Sequence, residues 1–100
     1  MSHQARKRFG QNFLVDDQIV NKIVAIISPK KSDNIVEIGP GKGALTFPLL
    51  EHLDHLSVIE IDRDLISLLK LKKQDKLTIY EADALNFDYS LISDNLRIVG

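Results

Sequence analysis

Residues 35–43 read Ile-Val-Glu-Ile-Gly-Pro-Gly-Lys-Gly, and this stretch decides the fold. The apolar run predicts a buried β-strand, and the alternating Gly39, Gly41 and Gly43 predict a tight turn directly after it. The Leu- and Phe-rich segment that follows has helical spacing. Strand, glycine turn and helix in this order are typical of a parallel α/β sheet that holds a nucleotide-like ligand at its carboxyl edge.

The spacing of the glycines narrows the class of ligand. The pattern is G-x-G-x-G, whereas turns that bind dinucleotides have G-x-G-x-x-G, and no P-loop pattern occurs. Glu37 stands two residues before the first glycine. This combination disfavours NAD and favours S-adenosylmethionine as the cofactor.

The rest of the chain alternates helices and strands. The sequence predicts strands over residues 34–38, 56–61, 77–80 and 96–99. It predicts a helix from an N-cap at Asp16 to Ser28, one from the glycine turn to about Asp54, and one capped by Asp62 or Asp64. The apolar side of this last helix is expected to comprise Leu65, Ile66, Leu68, Leu69 and Leu71. Such alternation predicts a Rossmann-like α/β fold with a parallel sheet flanked by helices.

A length of 100 residues limits the chain to one small domain, or part of one. The chain is 44% hydrophobic and 27% charged, which is ordinary for a globular protein. It has no cysteine, which excludes disulfides and fits the cytoplasm, and it has no apolar run long enough to cross a membrane. The three histidines are not spaced like a zinc site, so no metal is predicted.

Charge is distributed unevenly along the chain. Residues 1–31 carry six basic and two acidic residues, a net charge of +4, and the remainder carries seven basic and twelve acidic residues. Residues 1–14 read as an arm in which Arg6, Lys7 and Arg8 precede two phenylalanines. Cations beside aromatic rings suit the phosphates and bases of a nucleic acid, although a solvated arm whose phenylalanines pack onto the domain explains the same residues.

Three carboxylates follow the predicted strands. Glu37, Glu60 and Asp83 lie at or just past strand ends, which meet at one edge of a parallel sheet. Glu60 stands 17 residues after Gly43, close to the spacing of an acid that binds ribose hydroxyls, so Glu60→Ala is expected to weaken cofactor binding without loss of the fold. Asp83 either accepts from an adenine amino group or caps a turn. Glu37 binds the N–H groups of the glycine turn or the amino group of the ligand, or it serves structural orientation.

The chain resembles the ribosomal RNA adenine dimethyltransferases. The resemblance covers essentially the whole chain and is carried by four stretches, residues 6–14, 36–41, 58–64 and 77–80. The most specific are Gly-Gln-Asn-Phe-Leu at 10–14 and Glu-Ile-Gly-Pro-Gly at 37–41. The small-subunit enzymes of bacteria match best. The resemblance implies a class I methyltransferase fold and transfer of methyl groups from S-adenosylmethionine to N6 of two adjacent adenosines near the 3′ end of small-subunit rRNA.

The resemblance also implies roles for individual residues. Asn12 and Leu14 would contact the cofactor from the arm, and Gly39 would pass beneath its methionine part. Glu60 would hold the ribose and Asp83 the adenine amino group, with Glu37, Gly41 and Gly43 as lesser candidates. The catalytic Asn-Leu-Pro-Tyr motif of the family is expected just after Gly100, so no catalytic residue is predicted within the chain.

This absence makes the chain look like an N-terminal fragment without the C-terminal RNA-recognition domain. The chain alone is expected to be inactive and to self-associate through its last strand or exchange elements between copies, unless the arm folds back over the exposed surface and keeps it monomeric. The full-length protein is expected to be a monomer. The partner would be small-subunit rRNA in an immature small ribosomal subunit. Alternatives are a non-catalytic rRNA-binding or ribosome-assembly module and a large-subunit rRNA adenine methyltransferase.

Overall fold

A four-stranded parallel sheet with flanking helices makes up the described part, residues 16–100, of this computed structural model. In chain order the elements are α1 (Asp17–Ile27), β1 (Ile35–Ile38), α2 (Thr46–Leu50), β2 (Leu56–Glu60), α3 (Arg63–Lys70), β3 (Leu77–Glu81), a 3-10 helix (Tyr89–Leu91) and β4 (Arg97–Val99). The strand order is β3-β2-β1-β4, and every neighbouring pair is parallel. The predicted α/β architecture is confirmed, and each strand differs from its predicted bounds by one residue. The predictions for Arg6, Lys7, Arg8, Asn12 and Leu14 fall outside the described residues.

The core lies around the two central strands. Every residue of β2 is buried, and Ile35, Val36 and Glu37 of β1 are buried as well. This explains why both strands read as nearly continuous apolar runs, since a parallel strand is covered on both faces. The main cluster of buried apolar side chains comprises Val20, Val24, Ile35, Leu49, Leu50, Leu53, Leu56, Val58 and Leu69.

Local hydrogen bonds set the ends of the helices. The Asp16 carboxylate accepts from the Gln18 N–H at 2.9 Å, which confirms the predicted N-cap, and Asp62 instead of Asp64 caps α3. Pro48 lies in the first turn of α2, where its missing N–H costs no helical hydrogen bond. That helix ends at Leu50 instead of near Asp54, because the N–H groups of His52 and Leu53 bond three residues back and tighten the chain into turns.

Part of the predicted apolar side of α3 was wrong. Ile66 and Leu69 are buried, but Leu68 is 45% exposed and Leu71 is 72% exposed. With about 100° of rotation per residue, Leu68 lies about 200° around the helix from Ile66 and therefore faces away from the sheet. No helix within residues 16–100 is long and apolar enough to cross a membrane.

Candidate functional site

The glycine turn leaves open space over its backbone at two of its three glycines. Gly39 and Gly41 have φ angles of 67° and 58°, and a Cβ built on either would meet nothing within 4 Å. Gly43 is different, because a Cβ there would lie 2.2 Å from the Phe47 ring. A ligand can therefore approach the main chain at Gly39 and Gly41, whereas Gly43 is required for packing inside the domain.

Hydrogen bonds extend the sheet beyond the strand ends and bring the predicted site residues to one edge. The Gly39 N–H donates to the Ile59 carbonyl at 2.9 Å, and the Ala82 N–H donates to the Glu60 carbonyl at 3.1 Å. The register pairs Ile38 with Ile59 and Glu60 with Glu81. The glycine turn, Glu60 and the segment after β3 consequently lie side by side at the carboxyl edge, as the sequence predicts.

Glu60 joins two of the turns at this edge. Its side chain is buried, and its Oε2 accepts from the N–H groups of Ile61 at 3.0 Å and Asp62 at 3.1 Å. Its Oε1 accepts a longer bond, 3.4 Å, from the Gly41 N–H. An ionised carboxylate has about four acceptor positions, so one is left for a ligand. The expectation that Glu60→Ala leaves the fold intact needs correction, because alanine would deprive three backbone donors of their partner.

Glu37 lies beneath the glycine turn instead of binding its N–H groups. Its Oε1 accepts from the Thr46 hydroxyl at 2.5 Å, and the turn donor at Gly41 goes to Glu60. Burial raises the pKa of Glu37 from an ordinary 4.5 to about 7; the Thr46 hydrogen bond opposes this rise, and the Glu60 charge adds to it. The predicted binding of turn N–H groups by Glu37 is therefore wrong, and the interpretation as a residue of structural orientation fits the geometry.

Thr46 is a site residue that the sequence analysis missed. It is the first residue of α2 and is fully buried, and its hydroxyl reaches back to β1. The available signal was a hydroxyl residue among the apolar residues that open the predicted helix.

Asp83 lies two residues past β3 and is exposed. Its Oδ1 accepts from the Leu85 N–H at 2.9 Å, and its Oδ2 accepts from the Asn86 side-chain amide at 3.3 Å. The interpretation as a turn cap is thus confirmed, and a contact with an adenine amino group stays a prediction.

Two exposed apolar side chains follow the strand-end acids. Ile61, directly after Glu60, is 65% exposed, and Leu85, two residues after Asp83, is 92% exposed. Exposed aliphatic side chains beside hydrogen-bonding acids are a suitable surface for a flat heterocycle. Neither was predicted as a site residue, because an apolar residue at the end of a strand, such as Ile61, or in the segment after one, such as Leu85, is normally taken to be part of the core.

Comparison with known proteins identifies the family. The model of the family described as "Ribosomal RNA adenine dimethylase" matches residues 2–100. The chain belongs to the ribosomal RNA adenine dimethylase family. It is 57% identical to a ribosomal RNA small subunit methyltransferase A of Methylobacillus flagellatus and 56% identical to the protein of that name from Dechloromonas aromatica. These alignments cover 100% and 98% of this chain but 40% and 39% of the relatives, so the chain spans about two fifths of their length.

Solved structures of this family and of other methyltransferases share the fold. A dimethyladenosine transferase from Plasmodium falciparum superposes with a TM-score of 0.66 at 34% identity, over 72% of this chain and 28% of that one. The 23S rRNA methyltransferase ErmE gives 0.66 at 28% identity, over 73% and 31%. The N-methyltransferase NodS of Bradyrhizobium japonicum, in complex with S-adenosyl-L-homocysteine, gives 0.57 at 25% identity, over 85% and 39%. The predicted Rossmann-like class I methyltransferase fold is confirmed.

Proposed function

We propose that the full-length protein transfers methyl groups from S-adenosylmethionine to N6 of two adjacent adenosines near the 3′ end of small-subunit rRNA, during maturation of the small ribosomal subunit in the cytoplasm. The observation that carries this proposal is the family match over residues 2–100. The identity of 57% to a small-subunit methyltransferase supports the choice of substrate.

The carboxyl edge of the sheet is the proposed binding site of S-adenosylmethionine. The open backbone at Gly39 and Gly41 suits the methionine part, and the remaining acceptor position of Glu60 suits a ribose hydroxyl. Ile61 and Leu85 offer apolar contacts to the adenine ring. The related NodS structure contains the demethylated product of this cofactor, which supports the same ligand class.

Three further roles complete the proposed cofactor site. Asp83 accepts from the adenine amino group, and Asn12 and Leu14 contact the cofactor from the arm. Of the lesser candidates, Glu37 acts beneath the turn and Gly43 acts through packing against Phe47. When bound, S-adenosylmethionine supplies an electrophilic methyl group, and these residues bind and orient it.

The basic arm is proposed to contact the RNA. Arg6, Lys7 and Arg8 bring three positive charges to a chain that is otherwise net acidic. Lysine and arginine supply the sequence-independent part of nucleic-acid affinity through phosphate contacts. The groups that position the target adenosine are proposed to lie outside residues 1–100.

A methyl-transfer assay tests this proposal. The full-length protein is incubated with radiolabelled S-adenosylmethionine and small subunits that lack dimethyladenosine, and the modified nucleosides are identified by mass spectrometry. Label in two adjacent N6,N6-dimethyladenosines is expected, and mature subunits serve as the control that accepts none. A parallel reaction supplies large subunits, and label there with none in the small subunits would instead support the second candidate, a large-subunit rRNA adenine methyltransferase, which the similarity to ErmE favours. A protein that binds rRNA but neither binds nor consumes S-adenosylmethionine would be an assembly module.

A further inference from the structure

A group of lysines lies outside the cofactor site. The seven basic residues in residues 32–100 include four within positions 70–76, namely Lys70, Lys72, Lys73 and Lys76, here called the lysine patch. All four are exposed, and none forms a salt bridge with another residue in the described part of the chain. By contrast, Arg63 and Arg97 are engaged with Glu81 and Asp33.

Two lysines of the patch line a groove that has an aromatic wall. A cavity of about 430 Å³ is lined by Phe47, Lys73 and Lys76, together with the acids Glu51 and Asp75. The Lys72 ammonium lies 5.8 Å from the centroid of the Phe47 ring, within the range of a cation–π interaction. Because this ring packs over Gly43, it is a rigid support for Lys72.

The lysine patch lies mainly at the opposite edge of the sheet from the proposed cofactor site, and only Lys72, on the Phe47 ring that packs over Gly43, approaches the glycine turn. The Lys76 carbonyl accepts from the N–H of Leu56, the first residue of β2, so the patch adjoins the amino edge of the sheet. The five residues of β2 place the two edges about 15 Å apart. Changes in the lysine patch are therefore expected to leave cofactor binding unchanged.

The charge of this surface is opposite to that of its surroundings. Counting Glu51 and Asp75, the groove and the lysine patch carry a net charge of +2, whereas residues 32–100 as a whole carry twelve acidic and seven basic residues. The C-terminal end of α3 favours Lys70 through the helix dipole, but Lys72, Lys73 and Lys76 lie beyond the helix. A polyanion is attracted to this surface and repelled by most of the rest.

We propose that the lysine patch binds backbone phosphates of RNA, as a second contact surface besides the arm. This inference rests on the proposed function, because it takes its occupant, a phosphate-rich RNA, from the proposed substrate. Exposed ammonium groups around an open groove can contact phosphate charges, but they do not read base edges. The contact is therefore expected to add affinity without sequence preference.

The test compares charge-matched variants of the full-length protein. One combines Lys72→Gln, Lys73→Gln and Lys76→Gln, and its control combines Lys22→Gln, Lys30→Gln and Lys31→Gln, which removes equal charge from exposed positions outside the patch. A third replaces the three patch lysines by arginine and keeps the charge. Affinity for small-subunit rRNA is measured over a range of salt concentrations, with calorimetry of S-adenosylmethionine as the check on folding.

The patch variant is expected to bind RNA about tenfold or more weakly, with a salt slope reduced by about 3, while cofactor affinity, the control and the arginine variant stay unchanged. Equal RNA binding by the patch variant and the unaltered protein would overturn the inference and leave the proposed function standing. An equal loss of RNA affinity in the patch variant and in the control would also overturn the inference, because it would show that only the overall charge of the protein matters. Failure of the unaltered protein to bind rRNA would overturn the proposed function and this inference together.

Discussion

Glu37→Gln is expected to remove a pH dependence of stability that one buried carboxyl creates. Glu37 is 4% exposed, and burial raises its pKa from 4.5 to about 7. The folded state therefore holds the proton more tightly than the unfolded state between these values. The resulting stabilisation is complete below pH 4.5 and is lost as the pH rises to about 7. Glutamine is neutral at every pH and keeps an oxygen that can accept from Thr46.

The size of the effect follows from the difference in pKa. One pKa unit corresponds to about 1.36 kcal/mol, so ionisation of Glu37 lowers the free energy of unfolding by about 3 kcal/mol between pH 4.5 and pH 8. The free energy of unfolding of the Gln variant, minus that of the unaltered protein, should rise by this amount over the same pH range. Taking this difference in free energy cancels the contributions of all the other titrating groups, which the two proteins share.

Urea denaturation of both proteins at half-unit steps from pH 4.5 to 8 measures this difference. Thr46→Val is the companion variant: it removes the hydroxyl that opposes the rise in pKa, so the transition should move to higher pH. A difference between the Gln variant and the unaltered protein that stays constant across the range would refute the reasoning. It would mean that Glu37 titrates alike in the folded and unfolded states.

Three further predictions concern the edge and the arm. Glu60→Gln should raise the Kd for S-adenosylmethionine by about ten- to hundredfold and lower stability by about 1–3 kcal/mol, because its amide replaces an oxygen that accepts backbone N–H groups; calorimetry showing an unchanged Kd would contradict the ribose assignment. Gly43→Ala should cost about 2–4 kcal/mol in urea denaturation, because its φ is 92° and its Cβ meets Phe47, and adding Phe47→Leu should recover part of the loss. Replacing Arg6, Lys7 and Arg8 by Gln should weaken RNA binding and reduce its salt slope by about 3; an unchanged slope would show that the arm is only solvated.

The sequence determined the fold well because its signals were local. The glycine turn, the N-cap at Asp16 and the strand runs each depend on a few adjacent residues, and the structure reproduces them. The placement of Glu60 at the same edge as the turn also followed, since parallel strands share a carboxyl edge.

What the sequence could not predict depended on contacts between distant residues. The bond from Thr46 to Glu37 links α2 to β1, and the bond from Gly41 to Glu60 spans 19 positions. The exposure of Leu68 depended on how α3 is rotated against the sheet, which the apolar pattern of a short helix does not specify.

These contacts distinguish the two acids at the edge despite their similar positions near strand ends. Glu60 receives three backbone N–H groups, whereas Glu37 receives one hydroxyl and lies in an apolar interior. The single hydroxyl donor to Glu37 does not offset the burial of its carboxyl group, and its pKa is raised. An acid that is held by backbone donors and has one unused acceptor position, as Glu60 is, suits a ligand hydroxyl. A buried acid that titrates near neutral pH and accepts from Thr46, as Glu37 does, is suited to supporting the turn.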